Sequence, residues 1–440
     1  MPRRRRMLKI GLAISALTLL AVGGFVAATF MTFGRAWDRP TDFADQMVAL
    51  SRERQKLGPQ EIGGVVKFID VLAAMRQAHE EVAGRPLRVE RGEYVYDYTL
   101  VSDDSAYEAQ RAAIMAALES RGFFAAFDDL AADPRILPGI VIASVDTDAR
   151  WNDAEFKFMR EILTAHAIEA LKQGDADAAV DDVRRLLLLA KIMMVQPDSM
   201  TINLGRAVMS RAFVVAHRVA KNDAATDAQR AELIAAIESA RFPSVEQMVE
   251  DSRLWLLGTV ANTMKPSIWM PDDRDSQLAH ADRHMQEALE AVRSTDSLKQ
   301  LLERPVGKAS VVDRVRLRLA FLPNESLHLD AGLYTAMLYS KEGVIAQIAI
   351  ERYRRGHDGQ LPPSLDALIP KCLPRPLVDP LNPHGFVYRV VDGEDGPDYL
   401  LYSKGIDGVD NNMKPRRSGV RAFSPEASGT DVDLRIKYSK

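Results

Sequence analysis

The sequence predicts a mainly α-helical protein with a C-terminal α+β module. Three observations lead to this fold class. Apolar residues recur at helical spacing through most of the chain, an uncharged run lies near its start, and short β-like runs are confined to its end. The predicted architecture is a single N-terminal transmembrane helix, a helical domain, and then a long helix packed on a small antiparallel sheet.

Composition limits the classes of function. The 440 residues are 47% apolar and 27% charged, which is ordinary for a globular protein and excludes wholesale disorder. The 57 basic and 61 acidic side chains give a net charge of −4, so no nucleic-acid partner is expected. Cys372 is the only cysteine, which excludes an internal disulfide framework and any metal site that needs two thiolates.

Residues 10–33 carry no charge and follow a basic cluster made of the arginines at positions 3–6 and Lys9. As a helix, the run would extend roughly 36 Å, enough for a bilayer core of about 30 Å. The basic cluster predicts a cytoplasmic tail and export of the remaining chain. We therefore expect residues 1–36 to anchor a single-pass inner (cytoplasmic) membrane protein whose bulk is periplasmic. Two alternatives stay open, a signal peptide cleaved near Val26-Ala27-Ala28 and a buried core helix.

Residues 37–323 are expected to form a helical domain. Its clearest feature is a pair of helices on either side of Gly174-Asp175, which so short a turn must make antiparallel. The turn faintly resembles a tetratricopeptide hairpin, but no second copy occurs at a fixed period. Tyr94, Tyr96 and Tyr98 alternate with Val95 and Asp97, which predicts a strand or hairpin arm. Further helices are expected at 201–221, 227–240, 245–264 and 275–293.

Residues 324–440 form the predicted α+β domain. A helix is expected at about 325–355, and two adjacent apolar rows give it the wide face of a helix that lies on a sheet. The rows are Leu333, Met337, Val344 and Ile348, and Tyr334, Leu338, Ile345 and Ala349. β-like runs at 386–391 and 399–403 flank a stretch at 392–398 that predicts a hairpin turn.

A series of short motifs runs through the end of this region. The helix ends in ERYR at 351–354, and GQLP at 359–362, DPLNP at 379–383 and YSKGIDG at 402–408 follow. In this order and spacing the series resembles the C-terminal domain of the major (G-type) pseudopilin of type II secretion systems. The resemblance implies a long helix laid on a small sheet and a role at the cell envelope.

The same resemblance implies a structural calcium ion in the loop after the last strand. The positions that match the family's ligands are Asp407, Asp410 and Asn411, with Asp431 and Asp433 closing the site. Calcium takes about 6–8 oxygen ligands, which carboxylates in a glycine-broken loop can supply. The alternative is a solvated acidic turn, because Asp, Asn and Gly also dominate plain turns. Basic residues between the two acidic patches could also neutralise them without a metal, namely Lys414, Arg416, Arg417 and Arg421.

The chain departs from the pseudopilin pattern at its start. Pseudopilins have a glutamate just inside the apolar helix, and that helix runs directly into the globular domain. Here the apolar run contains no glutamate, and the helical domain separates it from the pseudopilin-like helix. We therefore do not expect assembly into a pseudopilus. We expect a non-enzymatic, membrane-anchored extracytoplasmic binding or assembly protein, with envelope or secretion-system proteins as partners.

Two other functions stay open. His280 and His284 are four residues apart on a predicted helix, with Asp273, Asp275 and Asp282 close in sequence, so an anchored metal-dependent hydrolase is one alternative. A solvated helix face explains the same pattern. The other alternative is a helical peptide-binding scaffold, supported by the hairpin at Gly174-Asp175.

The remaining candidate residues favour structural roles. His79-Glu80-Glu81 starts like a zincin motif but lacks a second histidine in register, so it is expected at the surface. His166 and His217 lie on apolar helices and are expected to be satisfied core histidines. Lys371 is expected to lower the pKa of Cys372 slightly. The sequence has no glycine-rich phosphate loop and no G-x-S-x-G nucleophile motif.

Overall fold

The computed structural model describes residues 64–85, 88–90, 93–135, 153–195, 199–263, 274–295, 297–303, 323–393, 396–413 and 431–435, with a few positions between 49 and 56. These residues are mainly helical and carry a small three-stranded antiparallel sheet near the C-terminus. The apolar run at 10–33 lies outside them. Within the described ranges, no helix combines the length and the hydropathy needed to cross a bilayer.

The described part of the helical region contains ten helices. They are α1 Val65–Ala83, α2 Glu108–Ser120, α3 Phe123–Ala131, α4 Asp153–Gln173, α5 Ala176–Met194, α6 Ser199–Lys221, α7 Asp227–Ser239, α8 Val245–Thr263, α9 Arg274–Arg293 and α10 Leu298–Glu303. The helices predicted after position 200 are confirmed to within one residue or two at each end.

The segment between α1 and α2 forms the hairpin that the alternating tyrosines predicted. Strand β1, Arg88–Glu90, pairs antiparallel with β2, Glu93–Val95. Tyr96 and Tyr98 lie beyond the strands, and the chain continues into a 3₁₀ turn at Tyr98–Val101. The side chain of Asp97 accepts from the Thr99 backbone N–H at 3.1 Å. This local bond offers the backbone an alternative to the ladder and ends the strand early.

Helices α4 and α5 form the expected antiparallel pair. Gly174 adopts the left-handed conformation at φ 79°, which ends α4 at little steric cost. The side chain of Asp175 then accepts from the Ala178 backbone N–H at 3.0 Å and caps α5. The turn needs only these two residues, as the sequence predicted.

Helix α11, Pro323–Gly356, is longer than expected by about two residues at its start, and it is more deeply enclosed. Positions 342–351 are buried on every side of the helix. The predicted sheet-facing rows are buried at these levels, and α11 also packs against α6 and α7. The polar residues of this stretch, including Glu342, Gln347 and Glu351, are therefore buried too.

The C-terminal sheet has the order β3-β4-β5, with β3 Val387–Gly393, β4 Gly396–Ser403 and β5 Val432–Asp433. The predicted β-like runs are confirmed, but both strands extend further toward the hairpin. Gly393 pairs with Gly396, so the turn that was expected over 392–398 shrinks to two residues. Because neither glycine has a side chain, the backbones of β3 and β4 can pair up to the last residue before the turn.

The two predicted domains share a hydrophobic core. One cluster of buried side chains runs from Val65 on α1 through α4–α7 to the central residues of α11 and on to Leu373. A second cluster joins α8, α9 and α10 to α11 and to sheet residues such as Leu401. The helix that belongs to the pseudopilin-like region is therefore also a central element of the helical body.

Candidate functional sites

The turn that follows β4 holds the residues for which calcium was predicted. Asp431 is 1% exposed, and its two oxygens accept from the backbone N–H groups of Asn411 at 3.2 Å and Met413 at 2.7 Å. Asp410 accepts from the Tyr402 hydroxyl at 2.8 Å. Asp431 is therefore bonded to the turn at Asn411 and Met413, and Asp410 is bonded to Tyr402 on β4.

Two of the predicted calcium ligands, Asp410 and Asp433, form ion pairs with arginines. The Arg389 guanidinium lies 2.5 Å from Asp410 Oδ2, and the Arg435 guanidinium lies 3.1 Å from Asp433 Oδ1. Asp407 accepts from the Val409 backbone N–H at 3.0 Å within its own turn. No group of three or more His, Cys, Asp or Glu side chains suited to a metal occurs among the described residues.

These contacts fit a calcium ion poorly. An oxygen that binds calcium directs a lone pair at the ion, and three of the roughly four lone pairs of Asp410 already accept from an arginine, a hydroxyl and a backbone amide. The ion itself is untested and stays a prediction. The basic residues between 414 and 421 lie outside the described residues.

The DPLNP motif forms a buried polar network, referred to below as the Asp379 network. Asp379 Oδ1 accepts from the Tyr339 hydroxyl at 2.7 Å, and Asp379 Oδ2 accepts from Ser403 Oγ at 2.6 Å. Asn382 Nδ2 donates to Asp379 and to the Gly405 carbonyl at 2.9 Å. All four side chains are buried. The network therefore ties α11, the 379–383 loop and the end of β4 together.

Ion pairs join α11 to the helical body. Arg352 makes two parallel bonds to Asp227 at the start of α7, both 2.8 Å, and also donates to the Cys372 carbonyl. Lys341 donates to the carbonyls of Glu238 and Ala240 at the other end of α7, at 2.8 and 2.7 Å. Arg352 and Lys341 thus bond α11 to the two ends of α7. These contacts fix the position of α11 relative to α7.

A cleft of about 430 Å³ opens between the Tyr98–Val101 turn, α4 and α6, and is called the α4–α6 cleft. Its charged lining consists of Lys157, Arg160 and Arg211 with Asp103 and Glu161. Arg160 Nε donates to Glu161 at 2.9 Å, and Arg211 lies 3.8 Å from the same carboxylate. With three cations against two carboxylates, the cleft has a surplus of one positive charge.

The predicted histidine pair lies on α9. His280 and His284 are four residues apart on this helix, as expected. Asp282 of the same group pairs with Arg253 on α8 at 2.6 Å, which holds the two helices together. Asp273 lies outside the described residues.

His79 contradicts its predicted surface position. It is 2% exposed, packs against Tyr96 and Phe158, and accepts from the Asp97 backbone N–H at Nε2 at 2.9 Å. Burial lowers the pKa of His79, although Asp97 opposes this. The prediction was wrong because the neighbouring glutamates suggested a polar face, whereas His79 follows the apolar row of α1 that includes Met75.

His217 lies in the core as expected, whereas His166 is only partly buried. His217 is 2% exposed in α6, and burial lowers its pKa to about 3. His166 Nδ1 lies 2.5 Å from Asp182 Oδ2, and the Phe124 ring covers the imidazole with the ring centres 4.3 Å apart. Asp182 is fully buried and also accepts from Arg185 at 2.8 Å. This group joins α4 to α5 at the edge of the core.

Cys372 is buried, and burial raises the pKa of its thiol despite the opposing influence of Arg352. Lys371 lowers the pKa of Cys372, as expected, but desolvation outweighs the charge of that lysine.

The sequence reasoning missed a buried carboxyl on α11. Asp330 accepts from Ser252 Oγ on α8 at 3.1 Å, and burial raises its pKa to about 8, with the nearby Asp251 adding to the rise. Asp330 lies in the same row as Leu333 and Met337, so an acid on the apolar face was the available signal. The cleft residues had no such signal because they come from three distant segments.

Comparisons with known proteins find no relative: no family model, no curated protein and no solved structure matches the chain. The contacts of its own residues are therefore the basis for a functional proposal.

Proposed function

We propose that the chain is an extracytoplasmic binding or assembly protein, anchored in the inner membrane by residues 10–33, whose last domain is similar to that of a G-type pseudopilin. The Asp379 network supports this most directly. Motif residues that could otherwise be read as catalytic carboxylate, amide and hydroxyl groups are buried and bonded to one another. Such groups specify a shape rather than reach a substrate.

The attachment of α11 to the body supports a carrier role. Arg352 and Lys341 bind opposite ends of α7, and Arg375 adds contacts to Glu342 at 2.7 Å and to Glu238 at 3.1 Å. Arg352 and Glu342 are largely buried, so their charge-assisted bonds are stronger than those of a fully exposed ion pair. The pseudopilin-like region is thus held in one orientation relative to the helices, which suits presentation of a docking surface.

The α4–α6 cleft is the proposed recognition site. Its volume and its mixed polar and apolar lining are typical of a pocket that takes a short side-chain segment or a small group. The surplus positive charge favours an occupant that carries a carboxylate. The proposal therefore places the binding site in the helical domain. If the occupant is a peptide segment, the protein is a peptide-binding scaffold.

An anchored metal-dependent hydrolase around His280 and His284 stays the alternative. It requires a transition metal at useful stoichiometry in the purified exported region. Metal analysis decides this point, since absence of zinc, iron and manganese removes the enzyme alternative.

In-cell photo-crosslinking tests the proposal. A photo-reactive amino acid at Lys157 is expected to capture an envelope or secretion-system protein in intact cells. The same residue at Glu119, which is exposed on α2, serves as the matched control and is expected to capture nothing specific. Identical capture profiles from the two positions would overturn the cleft assignment.

A reporter fused after Lys440 tests the topology separately. Alkaline phosphatase is active only after export, so the fusion is expected to be active. Activity of a cytoplasmic reporter at the same position would overturn the export proposal, whatever the crosslinking result.

A further inference from the structure

The turn after β4 and the C-terminal segment meet at a set of carboxylates that the pseudopilin resemblance assigns to calcium. We propose that Arg389 and the backbone amides of residues 411–413 hold this turn in place of a metal ion, so that the C-terminal region keeps its shape without calcium. This inference rests on the local contacts and is independent of the proposed function.

The acceptor atoms are already engaged. Asp410 Oδ1 accepts from the Tyr402 hydroxyl at 2.8 Å and from the Asn412 backbone N–H at 2.9 Å. Asp410 Oδ2 accepts a hydrogen bond from the Arg389 guanidinium. A carboxylate with these three donors has little remaining capacity for a cation, because each oxygen offers about two lone-pair directions.

Asp431 is engaged in the same way on the other side of the turn. Its Oδ1 accepts from the Asn411 N–H, and its Oδ2 accepts from the Met413 N–H. The carboxylate is buried, and amide donors stabilise the charged form of such a group without a counter-ion. Each Asp431 oxygen keeps about one lone pair, but the two amides already attach the carboxylate to the turn without a metal ion.

Arg389 supplies the positive charge that an ion would otherwise bring. It lies on β3, and its second donor reaches the side-chain oxygen of Asn412 at 2.9 Å. Its guanidinium carbon is 5.9 Å from the centre of the Tyr402 ring, within cation–π range. One guanidinium on β3 therefore contacts β4 and the turn, with one nitrogen bonded to Asp410 and another to Asn412.

The C-terminal segment is fixed by a further contact that involves no carboxylate. Gln347 Nε2 on α11 donates to the Leu434 carbonyl at 3.1 Å, and Leu434 N–H donates to the Leu401 carbonyl at 3.1 Å. Asp431 is therefore brought to the turn by strand pairing and by α11, which gives a second reason why no ion is needed to recruit it.

Thermal unfolding of the purified full chain tests the proposal. The melting temperature is expected to be the same in excess calcium and in excess EGTA, and calorimetric titration with calcium chloride is expected to give no binding heat. A higher melting temperature in calcium, or a lower one in EGTA, overturns the proposal.

The variant Arg389→Gln tests the role of the arginine. Its melting temperature is expected to fall by about 1 °C in both buffers, because the amide cannot balance the charge of Asp410. The matched control is Arg121→Gln, whose guanidinium pairs with Glu81 at the exposed surface, and it is expected to show no shift. Equal melting temperatures for Arg389→Gln and the wild type would overturn the assignment to Arg389.

Hydrogen exchange on the wild-type chain covers the case in which Arg389→Gln does not fold. The backbone amides of Asn411, Asn412 and Met413 are expected to exchange slowly, and at the same rate in EGTA as in calcium. Faster exchange in EGTA at these three positions contradicts a metal-independent turn.

Discussion

The Asp379 network and the α4–α6 cleft both gather polar side chains from distant segments, yet they differ in exposure. In the network, the carboxylate, hydroxyl and amide N–H groups bond to one another, and all four side chains are buried. In the cleft, Lys157 is exposed, and Arg211 is only loosely paired. The contrast separates polar groups that specify the fold from polar groups that are available to a ligand.

Removing the centre of the network gives the largest expected effect. Asp379→Ala leaves the buried donors of Tyr339, Ser403 and Asn382 without an acceptor, at a cost of about 1–3 kcal/mol for each unsatisfied group. Because the groups partly rearrange, we expect a loss of about 3–5 kcal/mol in the free energy of unfolding, measured by urea denaturation. Asp366→Ala, at an exposed position in the same connecting region, is expected to be near neutral. Equal losses for both variants would refute a structural role for the network.

Substitution of Gly343 on α11 is expected to give the second-largest loss of stability. A Cβ atom at Gly343 would lie 2.7 Å from the Leu434 carbonyl oxygen, so the C-terminal segment packs directly on the helix backbone there. Gly343→Ala is expected to lower the free energy of unfolding by about 1–3 kcal/mol through overpacking. Gly356→Ala, with no atom within 4 Å of the added carbon, is the control and is expected to be harmless. A neutral Gly343→Ala would mean that this contact is loose.

Helix α6 has a buried face and a face that borders the cleft, and the buried face makes the stability of the fold depend on pH. His217 lies on the buried face, whereas Arg211 borders the cleft on the same helix. The pKa of His217 is lowered to about 3, so between that value and about 6.5 only the unfolded chain takes up the proton. Its contribution to stability is therefore complete above pH 6.5 and is lost as the pH falls.

We expect this loss to reach about 2 kcal/mol at pH 5. Urea denaturation at pH 7 and pH 5 measures it, and His217→Gln is expected to reduce the difference between the two pH values. His384→Gln, at an exposed position, is expected to retain the wild-type difference. A His217→Gln variant with the full wild-type difference would show that other groups cause the pH dependence.

The cleft gives the smallest expected effect on stability. Lys157→Ala removes an exposed charge, so the free energy of unfolding is expected to change by less than about 0.5 kcal/mol. In the crosslinking experiment, with the photo-reactive residue moved to Asp103, the same substitution is expected to reduce capture of the partner. A large loss of stability in Lys157→Ala would mean that Lys157 stabilises the fold and is not simply an exposed residue of the cleft.

Local signals predicted most of the secondary structure. Helix α5 begins after the Asp175 cap, and α11 ends at Gly356, because caps and glycines act over one turn of chain. The hairpin turn was predicted too long because glycine was taken as a loop residue, whereas Gly393 and Gly396 pair across the strands.

The sites were less predictable. The resemblance assigned Asp410, Asn411 and Asp431 to one site, and in the structure the Asn411 backbone N–H donates to Asp431. It did not indicate Arg389, which is 21 residues from Asp410 and reaches it only because β3 and β4 pair. The position of His79 was misjudged because burial depends on what packs against α1.

By itself, the sequence determined the helical class of this protein, the small C-terminal sheet and the boundaries of most elements. These follow from apolar periodicity, caps and turn residues, which depend on neighbours within a few positions. Only the tertiary structure decided that α11 is enclosed on all sides and that Arg389 neutralises Asp410. It also decided that the charges of α4 and α6 meet at one cleft. Each of these depends on contacts between segments far apart in the chain, and no local pattern encodes them.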